Sequence, residues 1–90
     1  MALTEKETIN GQEYTFQKVP PREWLKIQYR TTDKNGMRIP HAFYDEIFKH
    51  IIVNPQVSMD DFDEYEEVEA VMDFAINFQQ YANGKSPSIL

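Results

Sequence analysis

Asp63-Glu64-Tyr65-Glu66-Glu67-Val68-Glu69-Ala70-Val71-Met72-Asp73-Phe74-Ala75-Ile76-Asn77-Phe78-Gln79-Gln80-Tyr81-Ala82-Asn83 is the stretch whose reading decides the fold. Advancing about 100° per residue, Glu66, Glu69, Asp73, Asn77 and Gln80 fall on one narrow polar strip of a helix. The rest of the circumference is apolar, from Tyr65, Val68, Val71 and Met72 to Phe74, Ala75, Ile76, Phe78, Tyr81 and Ala82, interrupted by Glu67 and Gln79. Such a helix must be central in its own domain or shared with another chain. Ser58 and Asp63 are rival N-caps, Asp63 with Glu66 having the spacing of a capping box, and Asn83-Gly84 suits the C-terminus. This helix is expected to be the longest, over residues 63–83.

Upstream, Pro40 opens a second helix running to about Ile52, with Phe43, Tyr44, Ile47, Phe48, Ile51 and Ile52 on one half and Asp45, Glu46, Lys49 and His50 on the other. Asn54-Pro55 stops this helix, or a short extended piece that follows it. Thr31 to Met37, containing Asp33, Asn35 and Gly36, reads as a loop. Before it, Pro21 sits well in the first turn of a helix over Arg22 to Arg30, with Trp24, Leu25, Ile27 and Tyr29 on the apolar side and Arg22, Lys26 and Arg30 on the other. A competing reading makes Ile27 to Thr32 a strand.

The N-terminal segment carries Asn10-Gly11 between Lys6-Glu7-Thr8-Ile9 and Gln12 to Val19, the signature of a two-residue hairpin turn. An isolated hairpin is marginal in water, so its Tyr14 and Phe16 face should lie on the helices, leaving the outer strand edge available to another chain. The predicted class is α+β, an N-terminal β-hairpin followed by three helices. Residues 1–84 are expected to form a single small domain and 85–90 a flexible tail.

Composition narrows the chemistry. Ninety residues without a cysteine exclude disulfides, thiolate metal sites and a cysteine nucleophile. The chain's start has no positive region followed by an apolar run, and no window approaches the ~18 apolar residues of a membrane span. The expectation is a soluble protein of the cytoplasm, without membrane association. A net charge of −6 and a pI of about 4.7 argue against nucleic-acid binding.

Charge is unevenly spread. Lys18, Arg22, Lys26, Arg30, Lys34 and Arg38 recur every fourth residue, whereas Asp60 to Asp73 holds eight acids and no base. These segments either attract one another within the fold or select a partner. Asp61 to Glu66 lacks the third alternating acid, the turn glycine and the spaced terminal glutamate of a calcium loop. His41 with Asp45, or His50 with Glu46, lacks a third ligand. Gly11, Gly36 and Gly84 are isolated, so no phosphate-cradling loop is present. The reading is a non-enzyme with no cofactor and no metal, working by protein contact.

Tyr14-Thr15-Phe16-Gln17, then Pro21-Arg22-Glu23-Trp24, Ile52-Val53-Asn54-Pro55, Met59-Asp60-Asp61-Phe62-Asp63 and Phe74-Ala75-Ile76-Asn77-Phe78, in that order, resemble the small tail assembly chaperones of long-tailed phages and prophages of Gram-positive bacteria. The resemblance spans roughly residues 12 to 80. It implies a chaperone that coats the tape measure protein, keeps it soluble and helps recruit tail tube subunits in the host cytoplasm, with a longer frameshifted form often made in such families. The candidate contact residues are the basic ridge Arg22, Lys26 and Arg30, with Trp24 as an anchor if it is not core, and Met72, Phe74, Phe78 and Tyr81 of the apolar helix. The width of that helix's apolar surface further suggests a homo-oligomer. Alternatives are a connector or baseplate protein retained in the particle, and a small acidic regulator of a host protein.

Overall fold

A computed structural model describes residues 4–81. Strands β1 (Thr4–Ile9) and β2 (Gln12–Gln17) pair antiparallel, with Ile9 opposite Gln12, Glu7 opposite Tyr14 and Glu5 opposite Phe16. Asn10 and Gly11 both take positive φ, 53° and 82°, as a two-residue turn matching strand twist requires. Side chains alternate between the two faces, so Tyr14 and Phe16 share the inner face and both are buried.

Helix α1 (Pro21–Arg30) begins with proline in its first turn, where no N–H is needed. Of the two readings of Ile27 to Thr32, the helix is the one found. Thr31 ends it as a buried polar residue, its hydroxyl donating to the Ile27 carbonyl at 2.8 Å. Extended backbone there is limited to one bridge between Thr32 and Arg38. Asp33 organises the intervening loop, its carboxylate accepting the Asn35 and Met37 N–H groups at 2.8 and 3.0 Å.

Helix α2 (Pro40–His50) stops short of the expected Ile52, because Ile52–Asn54 forms a third strand, β3, on the free side of β2. The elements therefore run ββααβα, and the expected hairpin followed by three helices is corrected by one strand between the last two. The physical cause lies in two places. Ile51-Ile52-Val53 is β-branched throughout, and the residue before Pro55 is held out of the helical region. Opposite it, β2 has backbone groups that need partners: Gln17 N–H donates to the Ile51 carbonyl at 2.8 Å, and the Gln17 side chain to the His50 carbonyl at 3.0 Å.

Helix α3 (Tyr65–Gln80) is the longest, as expected, but neither expected N-cap begins it. Ser58 instead precedes a 3-10 turn over Met59–Asp61, with the Asp61 carboxylate accepting the Ser58 N–H at 2.9 Å. Glu64 is the N-cap of α3, and its N–H reaches the Glu67 carboxylate at 3.3 Å. The cap falls one residue beyond Asp63, where Glu64 and Glu67 have the capping-box spacing. At the other end Tyr81 is extended. The expected terminus at Asn83-Gly84 and the 85–90 tail lie outside the described residues.

The core is one cluster. Phe16 of β2 meets Phe74 and Phe78 of α3 at ring separations of 4.7 and 6.3 Å, and Trp24 of α1 meets Phe43 of α2 at 5.7 Å. Val68, Val71, Met72 and Ala75 complete it from α3, and Ile47, Phe48, Ile51 and Ile52 from the other side. Phe74 and Ile76 are half-buried against the same cluster. The wide apolar surface of α3 is therefore covered largely within its own chain. That removes the argument for a subunit seam along this helix.

Both polar interruptions of the apolar surface have a structural use. Gln79 forms a two-way amide pairing with the β2–α1 connector, accepting the Val19 N–H at 2.8 Å and donating to the Val19 carbonyl at 2.9 Å. Glu67 lies beside Tyr14, at the hairpin's turn end.

Candidate protein-binding face

Helix α1 turns Trp24, Ile27 and Thr31 inward, at i, i+3 and i+7. Arg22, Leu25, Lys26 and Tyr29, at i, i+3, i+4 and i+7, then share the side facing away from the core. Leu25 is 65% exposed and Tyr29 83% exposed. The sequence reading put both on the apolar, inward side; the phase of the helix, set by the burial of Trp24 and Ile27, corrects that. The signal was present in the spacing, since Leu25 and Tyr29 align with Arg22 and Lys26 rather than with Ile27.

The basic ridge is divided by its pairing. Arg30 donates to Glu46 at 2.6 Å and lies 3.4 Å from Glu23, so it is committed within the fold. Its hydrogen bond lowers the Glu46 carboxyl below the ordinary carboxylate range, against a smaller opposing effect of burial. Arg22 and Lys26 make no ion pair among the described residues. Arg38 lies over the Phe43 ring at 4.1 Å and Lys18 over the Phe78 ring at 5.3 Å, both cation–π contacts. None of the ion pairs made by the basic series from Lys18 to Arg38 reaches Asp60 to Asp73. Basic and acidic segments are thus not ion-paired with one another among the described residues.

The other expected contact residues are placed mostly inside. Trp24, Met72 and Phe78 are buried in the core, where no partner reaches them without unfolding. The half-buried Phe74 ring stacks on Phe78 at 6.2 Å, and the half-buried Tyr81 accepts a hydrogen bond from Lys18 at its carbonyl, 3.4 Å away. The structure brings Arg22 and Lys26 together with Leu25 and Tyr29, and separates all four from the α3 residues. An open, shallow hollow beside Tyr29, lined also by Arg30, Thr32, Asp33, Lys34 and Gly36, adjoins this face.

The exposed edge of β1 is guarded. A two-fold axis pairing two copies of β1 opposes residues of the same face, so pairing centred on Lys6 sets lysine against lysine and Glu5 against Glu7. Centring on Glu5 or Glu7 opposes glutamates instead. Like charges directly across a ladder destabilise it, and charges on the inner face of an edge strand are a known defence against pairing.

His50 lies 3.3 Å from Glu46, which also receives Arg30, and no group of three or more histidines, aspartates or glutamates among the described residues converges as a metal site. No described helix is long and apolar enough to cross a membrane. No protein-family model matches the chain, and neither a curated protein nor a solved structure shows significant similarity to it.

Proposed function

We propose that this chain is a non-enzymatic protein-binding domain whose α1 face receives an acidic, amphipathic helical segment, in the role of a phage tail assembly chaperone acting on the tape measure protein. The observation that carries the binding role is the exposure of Leu25 and Tyr29 on the same helix face as the unpaired Arg22 and Lys26. Large apolar side chains at helical spacing contribute affinity on leaving water, and flanking cations select an acidic partner. The tape measure role rests on the sequence resemblance, with the host cytoplasm as its setting and tail tube subunits as the next partner.

A single helix face of this size is a weak site, at the small end of specific interfaces. Weakness suits the role. Many copies along one rod multiply a modest affinity through avidity, and each copy is still released as tube subunits arrive. Association of copies on the rod belongs to this proposal, and it does not draw on the buried α3 residues Val68, Val71, Met72, Ala75 and Phe78.

Co-expression with the tape measure protein of the same genome tests the reading. The parent chain should keep that protein soluble and co-purify in many copies. Leu25→Ala with Tyr29→Ala, and Arg22→Glu with Lys26→Glu, should each reduce recovery, the charge reversal more at low salt than at high. Full recovery with both double variants would remove α1 from the interface. Detection of the chain in purified virions would favour a retained connector over a chaperone.

A further inference from the structure

The hairpin's inner face is covered by α3 only as far as Phe16 and Tyr14. Beyond them, toward the turn, lies a groove of about 290 Å3 between Ile9 and Gln12 on one side and Val57 and Phe62 on the other. That volume is at the low end of the ~300–1,000 Å3 of small-molecule pockets, enough for one side chain. Asp61, Asp63 and Glu67 line it, and among the described residues no basic one does. Two of these carboxylates each spend one oxygen on a backbone N–H, Asp61 on Ser58 and Glu67 on Glu64. Asp63 has no partner among the described residues.

Tyr14 is a second, independent observation. It is only 5% exposed, its ring 6.1 Å from Phe16. Among the described residues its hydroxyl makes no hydrogen bond, yet no buried polar atom is left unpaired, so the hydroxyl is not sealed in the core and opens on the groove it lines. Burial and the neighbouring Glu67 charge raise its pKa, keeping it a neutral phenol that can accept or donate. A phenol held in the core with its polar end free, under three carboxylates and between apolar walls, matches a ligand with an apolar stem and a cationic tip.

We propose that this groove receives the side chain of a lysine carried by a partner polypeptide. The methylenes would lie on Ile9, Val57 and Phe62, and the ammonium would meet Asp63, Glu67 and the Tyr14 hydroxyl. A compact ammonium with three rotatable donors suits acceptors spread over separate residues, whereas a planar guanidinium is matched to a single carboxylate met edge-on. This site is separate from the α1 face, opposite in charge to it, and independent of the tape measure assignment.

The test is a chemical-shift titration of the full chain with N-acetyl-Gly-Lys-Gly-amide, alongside the same peptide carrying norleucine or arginine. Saturable shifts should be confined to Tyr14, Val57, Phe62, Asp63 and Glu67 with the lysine peptide and be absent with norleucine. Asp63→Asn and Tyr14→Phe should each weaken binding by about threefold, the order expected for one partly exposed charged or hydrogen-bonded contact. Asp63 supports no other described contact, so its replacement leaves the fold's melting temperature as a control. Tighter binding of the arginine peptide, equal binding of the norleucine peptide, unsaturable shifts spread over residues 60–73, or indifference to both substitutions would each overturn the proposal.

Discussion

Gln79→Met should destabilise the fold more than Gln79→Ala, although methionine keeps nearly all of the side chain's length. The part-buried amide of Gln79 makes both hydrogen bonds to Val19, at 2.8 and 2.9 Å, across 60 residues of sequence. Val19 precedes Pro20-Pro21, so its N–H is the last backbone donor before two residues that have none. Each bond contributes about 0.5–1.5 kcal/mol net, and a part-buried pair should fall near 1–2 kcal/mol together. Alanine removes the pairing but opens a path for water to Val19. Methionine fills the same space and offers no partner, leaving a donor and an acceptor desolvated at about 1–3 kcal/mol. In a domain of this size, about 1 kcal/mol moves the melting temperature by roughly 4–8 °C. Thermal and urea unfolding followed by circular dichroism would measure the series, with Gln80→Ala, on the exposed side, as a control expected within about 0.5 kcal/mol of the parent. Amide exchange at Val19 should accelerate in both variants. If Gln79→Met equals or exceeds the parent in stability, packing rather than hydrogen bonding holds the connector, and the reasoning fails.

Met72→Asp and Phe78→Asp each place a charge in the core and should cost more than about 3 kcal/mol, whereas Asp73→Asn on the exposed strip should stay within about 0.5 kcal/mol; three equal melting temperatures would mean that α3 is wrongly phased. The Glu46 carboxyl is lowered in the fold chiefly by the Arg30 hydrogen bond, so its contribution is present above the ordinary glutamate pKa and lost as pH falls through the lowered one. Glu46→Gln should remove that part of the acid dependence, at a cost below about 1 kcal/mol at neutral pH because the Arg30 end is exposed; parallel acid-unfolding curves would refute it. Replacing Glu5, Lys6 and Glu7 together by threonine strips the guard from the β1 edge and should produce concentration-dependent association in sedimentation, and a variant sedimenting like the parent would show that these charges do not govern the edge.

Much of this architecture was legible in the chain alone because it depends on neighbours in sequence. Asn10-Gly11 dictates a turn that twists with its strands, Pro21 and Pro40 open helices at the first position where proline costs nothing, and the 3.6-residue rhythm from Val68 to Phe78 announces the longest helix. The mixed α+β class followed from those local rules. On the candidate face, Arg22 and Lys26 were legible for the same reason, as charges one helical turn apart that point to solvent.

What depended on distant partners was not legible. Ile51 to Val53 suits the end of a helix and the start of a strand equally well, and only the unpaired side of β2, some 35 residues earlier in the chain, makes it a strand. Trp24, Leu25, Ile27 and Tyr29 are all apolar enough for a core. It is the position of Phe43 and the rest of the cluster that draws in Trp24 and Ile27 and leaves Leu25 and Tyr29 in water. The groove at Tyr14 has the same origin, since Ile9, Val57 and Glu67 meet only once the hairpin is laid on α3. Backbone hydrogen bonds within turns and helices join near neighbours and their rules are written in adjacent residues, whereas strand pairing and burial are shared among distant elements and have no meaning until those are packed.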